Sequence, residues 1–190
     1  MSFDPKELAA VIDHTCLRAD ATSRDIEKLC REALQYGFCS VCVNGSWAAF
    51  CAELLRGSPV KVAAVAGFPL GAAATRAKAF EAEAACAAGA AEIDMVMDVG
   101  RFLEGKYGDV ERDIAAVVEA VRGGAIVKVI LETGYLAVDQ IRAACEIAVS
   151  AGAHFVKTST GFGPGGALAE HVALMRGAVP PQTGVKASGG

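Results

Sequence analysis

The 190-residue chain has no basic cluster longer than a pair, and its formal net charge is −4. It therefore lacks the electrostatic footprint of a protein that binds a nucleic-acid backbone. Its first residues, MSFDPKELAAVIDH, hold neither a basic segment nor a continuous apolar run, so they do not read as a secretory leader. The most apolar stretch, residues 62–74, is too short to span a bilayer and is broken by Gly67, Pro69 and Gly71. No low-complexity linker and no shift in composition divides the chain. These absences predict one cytoplasmic domain over residues 1–190, with no membrane or nucleic-acid partner.

What is present is apolar: 53% hydrophobic residues against 21% charged, enough for one substantial core. There are seven cysteines. Cys30, Cys86 and Cys145 fall in alanine-rich helical stretches, where a free thiol packs as a small hydrophobe. Cys39 and Cys42 match C-x-x-C, but FCSVCV reads as a strand, and strand residues three apart face opposite sides. His14 and Cys16 share a face without further ligands nearby in sequence. Reduced thiols and no metal site are expected.

Short β-branched runs alternate with longer alanine-rich amphipathic stretches. The strand candidates are residues 11–15, 38–44, 61–68, 92–99, 126–132, 155–160 and 184–188. They recur roughly every 30 residues, which suits one strand, one helix and two short loops. Thr22 and Asp25 supply the N-cap and acidic first turn of a helix ending before Gly37. Residues 75–88 and 138–150 read as further helices, stopped by Gly89 and Gly152.

The runs VKVAAVAGF and IVKVILET are apolar almost throughout, which indicates strands covered on both faces and hence a parallel sheet. Polar residues recur late in the strands: Asn44, Asp94, Asp98, Glu132, Thr158 and Thr160. That favours a closed TIM (β/α)8 barrel over an open doubly wound sheet. Gly161 to Gly166 matches G-x-G-x-x-G after a strand, but the only acid soon after it, Glu170, comes too early to hold a ribose. A phosphate or substrate loop is the preferred reading there.

Charged residues inside apolar strands carry the functional signal, because a buried ammonium is costly unless paired or neutralised. Lys61 opens its strand and should reach solvent. Lys128, Lys157 and Lys186 lie inside theirs, the last two on successive strands at comparable depth. Neighbouring strands lie about 4.8 Å apart, so Lys186 should crowd Lys157 and, with burial, leave one amine neutral. A neutral lysine can form an iminium with a carbonyl compound. On spacing alone, Schiff-base chemistry and phosphate binding by the two cations stand level. Asp94, between Ile93 and Met95, could move protons; the bland reading pairs it with Lys128 or Lys186.

The segments IDHT at 12–15, VCVN at 41–44, GFPLG at 67–71, EIDMV at 92–96, KVILETG at 128–134, FVKTSTGF at 155–162 and VKASGG at 185–190 together resemble the deoxyribose-phosphate aldolases, which are class I lysine aldolases. The resemblance implies reversible cleavage of 2-deoxy-D-ribose 5-phosphate to D-glyceraldehyde 3-phosphate and acetaldehyde, without metal or organic cofactor. It implies Lys157 as the Schiff-base lysine, Lys186 as the lysine that perturbs it, and Asp94 as the proton-relay acid. Asp13 and Cys42 match pocket-lining positions and Thr158 one that helps hold substrate. Gly161, Gly189 and Gly190 match backbone positions at the phosphate site, and Lys128 is expected to support the site from behind. A homodimer or higher oligomer is compatible with the family.

The family pattern continues past the double glycine with a helix and an eighth strand. The expectation is thus a barrel lacking its eighth strand–helix unit, shortened at the C-terminus. Two other readings remain on the sequence: a catalytically impaired barrel fragment that binds phosphorylated ligands, and a transaldolase-like enzyme with a ketone donor.

Overall fold

A computed structural model describes residues 4–189. Seven parallel strands form one sheet in sequence order: β1 (Asp13–Cys16), β2 (Ser40–Val43), β3 (Lys61–Ala66), β4 (Glu92–Val96), β5 (Ile126–Ile130), β6 (Phe155–Lys157) and β7 (Gly184–Lys186). All seven expected strands form, each shorter than its apolar run: β1 starts two residues later than expected, β2 is trimmed at both ends, and the others stop early as the chain turns into the loops after them.

The helices are α1 (Pro5–Ala9), α2 (Ser23–Tyr36), α3 (Ala48–Leu54), α4 (Thr75–Ala87), α5 (Val99–Leu103), α6 (Tyr107–Ala120), α7 (Val138–Ser150) and α8 (Ala169–Ala178). The Thr22–Asp25 capping box is present, and Gly37 ends α2 in the left-handed conformation (φ 69°).

The result is a TIM-barrel-like α/β fold with the seven strands curved into an open barrel. Among the described residues β7 pairs with β6 only, so the ring is open where the eighth strand–helix unit was expected to be missing. The two outer strands are linked by side chains instead: the Lys186 ammonium lies 2.6 Å from the Asp13 carboxylate.

The alternation of side chains along the strands sorts the sheet into two unlike faces. Val41, Val43, Val62, Ile93, Met95, Val127, Val129 and Val156 point outward into one large apolar core with the helices. The residues between them point inward. There Cys42, Ala63 and Val65 make a small apolar cluster against Leu17 and Phe68, and the same face carries charged residues of β1 and β4 to β7 beside Ile130 and Phe155. Among the described residues, no helix is long and apolar enough to cross a membrane.

Candidate active site

The charged interior follows from strand register. Asp94 of β4 lies beside Lys128 of β5, and Lys157 of β6 beside Lys186 of β7. Glu92, two residues before Asp94, shares its face. Lys128 Nζ donates to Asp94 Oδ1 at 3.0 Å, to Asp13 Oδ2 at 3.2 Å and to Glu92. Lys157 Nζ donates to the other Asp94 oxygen at 2.6 Å. Lys186 reaches Asp13 and, at 3.4 Å, the carbonyl of Val11. Three ammonium groups and three carboxylates thus form one connected, nearly neutral network. Each buried charge has an opposite partner, as a low-dielectric interior demands.

A cleft of about 650 Å3 opens beside this network, along β1 and at the C-terminal ends of β6 and β7. Its walls include Asp13, Lys157, Lys186, Gly161 and Gly189. Asp94 lies beneath, with no exposed surface, and the Lys157 and Lys186 side chains are 8% and 18% exposed. The structure therefore gathers Lys157, Lys186, Asp13 and Asp94 at one place, with Lys128 behind them as expected.

Four expectations need correction or relocation. Lys186 is not among the charges that bear most on the Lys157 ammonium. Burial, the largest single effect, pushes the Lys157 ammonium down, but the charge and hydrogen bond of Asp94 together with Cys42 outweigh it, and the net direction is upward from the ordinary lysine value. The cation acting against protonation of Lys157 is Lys128. Lys186 instead pairs with Asp13, and it shares with Lys128 the work of holding that carboxyl down to about 2 against the opposing effect of burial.

Cys42 does not line the cleft: it is fully buried beneath it, and desolvation raises its thiol to about 12. Thr158 is fully buried too, its hydroxyl donating to the Ser188 carbonyl and accepting from the Ser188 amide, both at 3.0 Å. Asp98, expected late in its strand, caps α5 by accepting from the Arg101 amide.

The remaining sequence expectations fall in place or out of reach. Gly161 (φ 84°) and Gly189 (φ 78°) lie against each other on the cleft wall. A Cβ on Gly189 would come within 2.7 Å of the Ser159 Cβ, so only glycine lets the two loops meet there. Gly190 lies outside the described residues. All seven cysteines are free. Lys61 is exposed at the start of β3, as expected.

Three charged residues had been given no part. Glu92 was legible in hindsight, since period-two spacing puts it on the face of Asp94. Lys78 of α4 is fully buried and pairs with Asp113 at 2.6 Å, also donating to the Val96 carbonyl at the end of β4. Glu132 is buried just after β5 with a left-handed backbone (φ 56°). Nothing in the local sequence marks Lys78, whereas Glu132 is one of the late-strand polar residues, with a left-handed backbone that its sequence does not announce. A non-glycine residue held there costs roughly 1–3 kcal/mol, which surrounding contacts must offset.

Comparison with known proteins settles the kinship. Residues 8–190 match the model of the DeoC/LacD family aldolases. The chain belongs to that family. It is 56% identical over 185 residues to deoxyribose-phosphate aldolase 1 of Bacillus licheniformis, covering 97% of this chain and 83% of that one. The deoxyribose-phosphate aldolase of a Geobacillus species is 57% identical over 183 residues, with 96% and 82% covered. Among solved structures, the tetrameric deoxyribose phosphate aldolase of Aeropyrum pernix superposes with a TM-score of 0.88 at 35% identity, covering 98% of this chain and 79% of that one. Within such an aldolase fold, a lysine on a barrel strand facing a cleft and touching a buried acid has the form of a carbonyl-trapping site.

Proposed function

We propose that this chain is a deoxyribose-phosphate aldolase that cleaves 2-deoxy-D-ribose 5-phosphate reversibly through a Schiff base on Lys157. The carrying observation is the Lys157 amine on the cleft wall, 2.6 Å from a carboxylate with no exposure to solvent. At that distance the ammonium need not wait for bulk water to take its proton. A carbonyl entering the cleft displaces water, and the Lys157 proton passes to Asp94 as the nitrogen attacks.

The remaining steps use the same pair of groups. The carbinolamine loses its hydroxyl as water, with a proton returned by Asp94, and an iminium forms. Removal of the C3 hydroxyl proton then breaks the C2–C3 bond, and its electron pair flows into the iminium to give an enamine. D-glyceraldehyde 3-phosphate leaves. Protonation of the enamine carbon and hydrolysis release acetaldehyde and regenerate the lysine. Lys186, the more exposed cation, suits proton exchange between the cleft and solvent, with Asp13 anchoring it. Bare backbone at Gly161 and Gly189 suits close approach of the substrate phosphate.

The phosphorylated sugar is proposed as a cytoplasmic small-molecule substrate. The tetrameric Aeropyrum pernix relative supports assembly of several copies. Borohydride reduction in the presence of acetaldehyde tests the chemistry. It should leave an ethyl group on Lys157, and Lys157→Ala should abolish both labelling and turnover. An unlabelled wild-type chain that still binds sugar phosphate would instead favour a ligand-binding protein.

A further inference from the structure

We infer that Glu132 is a positioning residue that fixes the loop after β6 for the phosphate end of the substrate. This rests on the aldolase reading above. Glu132 lies at the C-terminal end of β5, one strand away from Lys157. Its carboxylate accepts from the Thr160 amide at 3.2–3.3 Å and from the Thr160 hydroxyl. Thr160 and its neighbour Gly161 line the cleft, whereas Glu132 faces a smaller pocket behind the loop, beside Tyr135 and Phe162. The carboxylate thus grips the loop from the side that substrate does not reach.

Two further observations indicate that the loop is built around this carboxylate. A Cβ on Gly163 would lie 2.8–3.0 Å from the Glu132 carboxyl atoms, so glycine lets the chain wrap over it. The Thr160 hydroxyl also accepts from the Phe162 amide at 3.0 Å, which carries the hold one turn further. Phe162 then packs edge-on against Phe68, itself a cleft residue, with ring centroids 5.4 Å apart. The left-handed backbone of Glu132 turns its side chain away from the ionic network and toward this loop. A strained, buried residue held in place by its neighbours is the pattern expected where geometry serves a site.

The consequence separates recognition of the phosphate from chemistry at the amine. Loss of the carboxylate loosens residues 160–163 and leaves Lys157 and Asp94 untouched, since neither contacts Glu132 through a hydrogen bond. Steady-state kinetics of Glu132→Ala and Glu132→Gln would be compared on 2-deoxyribose 5-phosphate and on unphosphorylated 2-deoxyribose. For Glu132→Ala, KM for the phosphorylated sugar should rise about tenfold or more, the size expected for losing charge-assisted hydrogen bonds. The constants for the unphosphorylated sugar should stay within about twofold. Glu132→Gln keeps one acceptor and should recover much of the loss.

Thr160→Val removes the hydroxyl without touching the strained backbone, and should shift KM in the same selective way by a smaller factor. It keeps the inference testable should the Glu132 variants fold poorly. Equal losses on both sugars, or no loss on either, overturn the positioning role. Failure of the wild-type chain to be labelled at Lys157 by borohydride and acetaldehyde overturns the aldolase reading itself, and is seen separately from these kinetics.

Discussion

The two faces of the sheet are built by opposite rules. Outward, Ile93, Met95, Val127, Val129 and Val156 are wholly buried among helices and hold no polar group. Inward, residues one position away in the same strands, Glu92, Asp94, Lys128 and Lys157, are nearly as buried and carry full charges. The hydrophobic face supplies stability by removing apolar surface from water. The charged face gains little net stability, because desolvation of each ion cancels much of its attraction to its partner. Its worth lies in holding an amine and an acid in contact, dry, at the floor of a cleft. Substitutions on the inner face should therefore act on chemistry, and those on the outer face on folding alone.

Asp94→Asn should produce the largest departure. Without the anion, burial and Lys128 meet only the weaker opposing effect of Cys42 on the Lys157 ammonium, so the free amine becomes easier to form. Borohydride labelling with acetaldehyde should therefore persist. Cleavage, which needs a group to take and return protons, should fall about a thousandfold. Labelling by mass spectrometry and turnover on the same sample would show the split. Loss of labelling together with turnover would mean that iminium formation itself depends on Asp94, and full retention of both would remove it from the mechanism.

Lys128→Met comes next. It leaves Glu92, Asp94 and Asp13 without their common cation, and breaking a buried pair by removing one partner costs about 3–5 kcal/mol. Urea unfolding at neutral pH would read this loss directly. A variant as stable as the parent would mean that the carboxylates find protons or other partners at little cost.

How much of this was legible in the chain differs between the faces. The outer face follows from composition and spacing: apolar runs recur at strand–helix intervals, and the Thr22–Asp25 cap and the glycine stops mark helix ends as they should. The inner face was half legible. Lys128, Lys157, Asp94 and Lys186 stand out because charge interrupts apolar strands, and all four converge. Which charge faces which was not legible, because pairing depends on register and tilt that no local pattern encodes. Lys186 had been matched to Lys157 by depth, yet it reaches across the gap to Asp13 on the first strand. Cys42 and Thr158 were placed in the cleft by their motifs, but the curvature of the sheet sinks both below its surface. Glu132 stands out as a late-strand polar residue but not in its partner, and Lys78 not at all, because their partners come from segments 28 and 35 residues away.

A smaller effect should appear in acid. The Asp13 carboxyl is held near 2 when folded, against an ordinary value of 3.8. A depressed carboxyl contributes stability that is present above its unfolded value and lost as pH falls through the folded one. About 2 kcal/mol should thus disappear between roughly pH 4 and pH 2. Asp13→Asn should be less stable than the parent at pH 6, and the difference should close toward pH 2. Urea midpoints taken across that range test it; a gap independent of pH would assign the loss to packing instead of charge.

The smallest change belongs to the outer face and tests the comparison from the other side. Ile93 is completely buried between the two inward acids Glu92 and Asp94. Ile93→Val removes one methylene from the helix-facing core and leaves the strand register intact, so stability should fall by about 1 kcal/mol. Because the side chain points away from the cleft, kcat, KM and the labelling of Lys157 should all match the parent once the fraction folded is equal. The two faces share a backbone, so a shift of Asp94 relative to Lys157 is the one route by which this deletion could reach the chemistry. The 2.6 Å contact makes turnover sensitive to such a shift. A measurable fall in kcat for Ile93→Val, at unchanged KM, would show that the apolar packing sets the alignment of the acid and that the separation of the two faces is incomplete.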